Sequence, residues 1–183
     1  MEALQQDQKY TYTDYIALSD DVRYELIDGV FYLLASPSET HQRVSMEIAR
    51  QLANFLVGKN CAVYTAPFDV RLHADADDDT VVVPDIVVVC DRAKLADGKA
   101  CKGAPDMIIE ILSPSTALMD KWRKFNQYLQ AGVREYWIVD TVDQFVNVNV
   151  FKNGEYINRV YCQTDQIAVD VLDGCIIDLS IVF

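Results

Sequence analysis

The sequence predicts a domain of mixed α and β class, and three observations carry that reading. Asp28-Gly29 and Asn153-Gly154 each stand between apolar runs, the strongest short-range sign of a β-hairpin. Apolar residues recur at helical spacing from residue 39 to residue 58. The span from Asp106 to Asp140 reads as strand, helix and strand, a βαβ unit.

Taken in order, residues 1–12 are polar and predict a loose start, after which Thr13 or Asp14 is placed to cap a short helix ending near Asp20-Asp21. Tyr24 to Leu34 forms the first hairpin, and Ser36-Pro37-Ser38 ends it. Val44, Ile48, Leu52, Phe55 and Leu56 then share one face of a long helix that should lie on a sheet and stop at Gly58. Strands are expected at about 61–66 and 67–73. A polar loop with four aspartates runs from Ala74 to Thr80, and an apolar strand from Val81 to Val89 passes through Asp85. Asp91 to Ala104 reads as a loop and Met107 to Leu112 as a core strand. A hydroxyl in Ser113-Pro114-Ser115-Thr116 can cap a helix running to about Ala131-Gly132. Glu135 to Asp140 is the next strand, followed by the second hairpin and short C-terminal strands. No repeat or linker divides the 183 residues, so the expectation is one domain over 1–183.

Composition narrows the function. No apolar run approaches a membrane span, and the start is neither a basic signal region nor an Arg-rich transit sequence, which predicts a cytoplasmic protein. Five cysteines without a CxxC pair, mostly among apolar residues, predict reduced core thiols rather than a disulfide framework or a zinc site. A net charge of −12 argues against a nucleic-acid partner. The distribution softens that objection, because from Arg92 to Arg134 eight basic residues stand against four acidic ones. A solvated loop and helix face explains the same excess equally well.

Two carboxylates carry the chemistry. Glu110 interrupts Met107-Ile108-Ile109-Glu110-Ile111-Leu112, and Asp85 interrupts a valine-rich run. Burying an unpaired carboxylate costs several kcal/mol, so each calls for a partner, a shifted pKa or a metal. If the strands are neighbours, both converge on a hard divalent cation, which oxygen ligands suit. Alternation puts Glu110 with Asp106, Ile108 and Leu112, on the face opposite Met107, Ile109 and Ile111. Lys121 and Lys124 follow on the next helix, where Lys124 shares a face with Asp120. A lysine beside two metal-binding carboxylates is the equipment of a phosphodiesterase.

These residues also resemble a known family. Tyr24-Glu25-Leu26-Ile27-Asp28-Gly29, His41, Pro84-Asp85-Ile86-Val87-Val88-Val89, Ala104-Pro105-Asp106, Glu110 through Thr116, Lys124, Tyr128 and Gly132 through Asp140 look like the Uma2 family. That family was formerly a domain of unknown function common in cyanobacteria, and it falls in the PD-(D/E)XK restriction-endonuclease-like superfamily. The resemblance covers roughly residues 12 to 180. It implies an endonuclease-like core with a central mixed β-sheet flanked by helices and extra β-hairpins. It also implies Asp85 and Glu110 as metal ligands for Mg²⁺ or Mn²⁺, Lys124 as the catalytic lysine, and Glu25 as an additional acidic group near the metal. The superfamily lysine position holds Leu112, which moves that role to the following helix.

The expected function is therefore metal-dependent hydrolysis of nucleic acid, DNA first, by a homodimer without membrane contact. The alternative is a catalytically silent nuclease fold that binds nucleic acid or a protein partner, and a weaker third reading pairs the carboxylates internally as structure. His41 reads more readily as capping or packing than as a phosphate contact. His73 receives no role. The aspartates at 75 and 77–79 lack the Gly and terminal Glu of an EF-hand loop, and Trp122 and Trp137 are expected in packing.

Overall fold

The Asp28-Gly29 dipeptide turns the chain as expected. In the computed structural model, Asp28 has φ 53° and Gly29 φ 78°, and the turn joins β1 (Tyr24–Ile27) to β2 (Val30–Leu33). Two successive left-handed residues match the twist of the strands they connect. The structure describes residues 9–18, 22–74, 77–112 and 119–183, with backbone alone at 119–122. The expected hydroxyl cap at Ser113 to Thr116, the side chains of Asp120, Lys121 and Trp122, and the segment at Asp20-Asp21 therefore lie outside the described residues.

A short helix α1 (Tyr12–Tyr15) starts at Thr11 rather than at Thr13 or Asp14, because Thr11 N and Oγ1 both donate to Asp14 Oδ2. The long helix α2 (Glu39–Leu56) begins where Ser38 Oγ accepts from His41 N at 3.2 Å, and it buries Val44, Ile48, Leu52 and Leu56 along one face. Strands β3 (Ala62–Thr65) and β4 (Asp69–Arg71) are separated by a cis Ala66-Pro67 bond.

The run from Val81 to Val89 is not one strand. It divides into β5 (Val81–Val82) and β6 (Ile86–Val89), which belong to different sheets. Pro84 has no N–H for a ladder, and the Val83 N–H turns to the Glu25 carboxylate at 2.8 Å instead of to a strand. The break places Asp85 between the two sheets. The expected loop over 91–104 likewise contains a 3-10 helix, Arg92–Leu95, and β7 (Ala100–Lys102), which pairs parallel with β4.

The βαβ unit forms as read. Strand β8 (Met107–Leu112), helix α3 (Met119–Ala131) and β9 (Glu135–Asp140) bring β8 and β9 together in parallel register. Strands β10 (Phe145–Lys152) and β11 (Glu155–Cys162) form the second hairpin, and β12 (Gln166–Ala168) pairs with β13 (Ile176–Asp178). One mixed sheet runs β11-β10-β9-β8-β6-β3 and a second runs β2-β1-β5-β4-β7.

The six-stranded sheet has a core on each face. On one, Met107, Ile109, Trp137 and Val139 meet the apolar stripe of α2. On the other, Val87, Ile108, Tyr136 and Ile138 meet Tyr128 of α3 together with Ile27, Val70 and Val82 of the smaller sheet. Alternation along β8 therefore places Glu110 on the α3 side. Gln127 fixes that helix further, donating to Asp28 Oδ1 at 2.8 Å, with its own Oε1 3.0 Å from His73 Nε2.

The cysteine expectation fails at one pair. Cys61 and Cys90 form a disulfide, while Cys101, Cys162 and Cys175 are free. The β3/β6 register pairs Ala62 with Val89, so one further step sets the two thiols opposite each other. That juxtaposition comes from strand register, which cysteine spacing does not carry. No helix among the described residues is long and apolar enough to cross a membrane.

Candidate active site

Adjacent strands bring the two sequence-singled carboxylates together. Strands β6 and β8 pair Ile86 with Ile109 and Val87 with Ile108, so the next step sets Asp85 opposite Glu110. Asp85 Oδ2 accepts from the Ile111 N–H at 2.7 Å and lies 3.2 Å from His41 Nε2. Glu110 Oε1 accepts from the Tyr128 hydroxyl at 2.6 Å and from Lys124 Nζ at 3.1 Å. Among the described residues no donor meets Asp85 Oδ1 or Glu110 Oε2.

Helix α3 supplies the cation. Lys124 and Tyr128 are four residues apart and so share the face that looks onto β8. Lys124 Nζ is 2.7 Å from Glu25 Oε1, closer than to Glu110, and Glu25 Oε1 also accepts from Val83 N. Glu25, His41, Asp85, Glu110 and Lys124 all line one cavity of about 200 Å³, which the chain from Tyr32 to Pro37 also lines. Arg23 lines the same cavity, and Arg123 stacks its guanidinium 4.6 Å from the Tyr32 ring. Of the other cations in the expected basic stretch, Lys94 bonds to the Ala104 carbonyl, Lys102 pairs with Asp97 and Arg134 with Asp106.

Burial and like charge dominate the electrostatics. Burial pushes the Glu110 carboxyl up to about 7; Lys124 and the Tyr128 hydroxyl pull it down, while Asp85 and Glu25 raise it. Burial also works against the Lys124 charge, but Glu110 and Glu25 outweigh it and hold the ammonium well above its ordinary range. His41 is raised by its hydrogen bond to Asp85, against burial. Burial, then the Glu110 charge, drives Tyr128 far up, so its hydroxyl is a donor. Glu25 and Glu110 thus contact the Lys124 ammonium directly, while Asp85, opposite Glu110, pairs with His41 instead.

That donor set fits a hard divalent cation. Asp85 and Glu110 each commit one oxygen to the protein and, among the described residues, leave the other without a donor, on facing strands. Among the described residues no trio of His, Cys, Asp or Glu gathers as a ligand cluster. Two carboxylates, with remaining positions left to water and substrate, is the pattern Mg²⁺ favours.

The comparisons agree with this architecture. The Uma2 family model, described as "Putative restriction endonuclease", matches residues 10–180. The chain belongs to the Uma2 family. It is similar to an uncharacterised protein of Synechocystis sp., 24% identical over 151 residues, 79% of this chain and 75% of the relative. A second uncharacterised protein of the same organism is 28% identical over 118 residues, 63% of this chain and 65% of that protein, so the chain spans just under two thirds of its length. A crystal structure from Anabaena variabilis, titled as a putative nuclease belonging to DUF820, superposes with a TM-score of 0.77 at 19% identity, covering 94% of this chain and 97% of that one. The likeness shows a shared fold over nearly the whole length of both.

All four residues singled out for the Uma2 site, Glu25, Asp85, Glu110 and Lys124, converge on the cavity. Lys124 finds Glu25 and Glu110 as its described partners, and the expected Asp120 contact lies outside the described residues. Two roles escaped the sequence reading. His41 touches a candidate metal ligand, where capping or packing is the expectation, and Tyr128 stands in the family motif with no role assigned to it. Helix spacing was the available signal, since Tyr128 stands four residues beyond Lys124 on an otherwise buried face.

Proposed function

We propose that this Uma2 protein is a Mg²⁺- or Mn²⁺-dependent nuclease that hydrolyses phosphodiester bonds, with DNA as the first polymer to test. The observation that carries the reading is the facing pair Asp85 and Glu110, each with one oxygen that meets no donor among the described residues, beside a lysine held in the same cavity. Asp85 Oδ1 and Glu110 Oε2 would hold the cation. Bound there, a divalent ion supplies Lewis-acid activation of a phosphate oxygen and a water of lowered pKa.

The chain's own residues do the rest. Hydrolysis adds a water oxygen to phosphorus and breaks one P–O ester bond, so negative charge builds on the phosphate oxygens. Lys124 carries a fixed positive charge toward that site, and Glu25 holds the ammonium inside the cavity rather than in solvent. His41 and Tyr128 orient the two carboxylates.

The ion pairs of Lys124 favour a second reading, in which the cluster is structural and the fold binds without cutting. Against it stands Asp85, set opposite Glu110 in the same cavity, where its charge raises the Glu110 carboxyl rather than pairing with Lys124. The deciding experiment incubates the protein with supercoiled plasmid, single-stranded DNA and RNA in Mg²⁺, Mn²⁺ or EDTA, alongside an Asp85→Ala, Glu110→Ala double variant. Metal-dependent cutting that disappears in the variant is the expected result. Absence of cutting on every substrate by both proteins would move the assignment to the silent fold.

A further inference from the structure

We infer that His41 and Tyr128 are positioning residues of the metal centre, each tying down one oxygen of a metal-binding carboxylate so that its other oxygen stays toward the cation. The inference rests on the metal-site reading above. The two arrangements mirror each other. His41 comes from α2 and fixes Asp85 Oδ2 at 3.2 Å, with the Ile111 N–H as a second hold. Tyr128 comes from α3, beyond the other side of the six-stranded sheet, and fixes Glu110 Oε1 at 2.6 Å.

Neither side chain is explained by packing alone. A packing histidine is normally satisfied at both ring nitrogens, but His41 Nδ1 is buried with no partner among the described residues while Nε2 is on Asp85. A phenylalanine would fill the volume of Tyr128, which is fully buried. Its hydroxyl instead contacts Glu110 at 2.6 Å, closer than Lys124 does at 3.1 Å.

The division of labour with Lys124 explains why Glu110 has two donors. The lysine lies nearer Glu25, at 2.7 Å, than Glu110, at 3.1 Å. An ammonium that must turn toward a phosphate cannot also be the sole anchor of a metal ligand. Tyr128 keeps Glu110 in place when the lysine moves. Outer groups that orient metal ligands typically contribute about 10–100-fold in metal affinity or activity.

The test is calorimetric titration of Mn²⁺ into the metal-stripped full chain, with thermal midpoints measured in EDTA. Wild type is compared with Tyr128→Phe, His41→Ala and His41→Gln, the last keeping an N–H donor in reach of Asp85. Tyr128→Phe and His41→Ala should remain folded and bind Mn²⁺ about tenfold or more weakly, while His41→Gln should recover most of the affinity. Variants that only lower the EDTA midpoint and bind Mn²⁺ as wild type does would overturn the positioning role and leave the metal site standing. A wild-type chain that binds no Mn²⁺ would overturn the metal reading, and this inference with it.

Discussion

Glu110 and Glu135 sit on neighbouring parallel strands, β8 and β9, and the chain uses them in opposite ways. Glu135 is fully buried on the α2 side of the sheet, where Oε1 accepts from Trp137 Nε1 at 2.8 Å and Oε2 from Val171 N at 2.9 Å. Each oxygen has a neutral donor, and among the described residues no cation pairs with it. Glu110, on the α3 side, commits one oxygen to Tyr128 and Lys124, and its other meets no donor among the described residues, beside a second carboxylate and a cavity. Both are raised by burial. A buried carboxylate alone is therefore no mark of a site. What separates the two is whether the hydrogen-bond inventory closes, as it does at Glu135 in pinning residue 171 to β9.

Alanine at each position should break the comparison most visibly. Glu110→Ala removes a proposed metal ligand, and a loss of several kcal/mol in transition-state stabilisation corresponds to about a thousandfold or more in cleavage rate. Stabilisation by added Mn²⁺, read as a shift in thermal midpoint, should vanish with it. Glu135→Ala orphans the buried Trp137 donor and the part-buried Val171 N–H and opens a cavity, so folding should lose about 2–4 kcal/mol in urea titration. Its Mn²⁺-induced shift should persist. Loss of the shift in both variants would mean that the two carboxylates are coupled and that the contrast is false.

Lys124→Met sharpens the distinction between holding the metal and stabilising charge. Cleavage should fall about 10²–10³-fold, the scale of a lost electrostatic donor at the reacting group. Mn²⁺ should still bind, because Asp85 and Glu110 remain. Removing one partner also leaves Glu25 and Glu110 buried without their cation, a loss of about 3–5 kcal/mol in the metal-free protein. Calorimetry on the variant separates the two effects. If Mn²⁺ binding disappears, the lysine organises the carboxylates and does not merely act beside them.

How much of this was legible in the sequence depended on the range of the signal. The Asp28-Gly29 hairpin, the α2 stripe and the β8-α3-β9 unit rest on local spacing, and they appear where spacing put them. Glu110 and Asp85 were visible because an ionisable residue in an apolar run is costly wherever the chain goes. The division of Val81 to Val89 between two sheets was not legible, since Pro84 marks a break without saying which sheet receives each half. The Cys61–Cys90 disulfide and the His41–Asp85 contact depend on strand register and on where α2 docks, and these are properties of the assembled sheet. Glu135 shows the converse. Its place in a motif says that the residue matters, and only its two neutral donors say that it matters for packing.

The smallest expected effect is a pH dependence at Glu135, and its sign follows from burial. The folded-state pKa is raised above the unfolded value, near 4.5, because burial penalises the charged form more than the donors from Val171 and Trp137 favour it. The folded chain therefore binds a proton more readily than the unfolded one. The stability this contributes is complete below the unfolded pKa and is lost as pH rises through the folded value. Urea unfolding in EDTA from pH 4.5 to pH 8 should show wild type losing stability relative to Glu135→Gln, which has no carboxyl proton to lose. A difference that stays flat over this range would mean that the two donors fully offset burial. Glu135 would then be ionised without penalty, and a pair of neutral hydrogen bonds would suffice to house a bare carboxylate in this core.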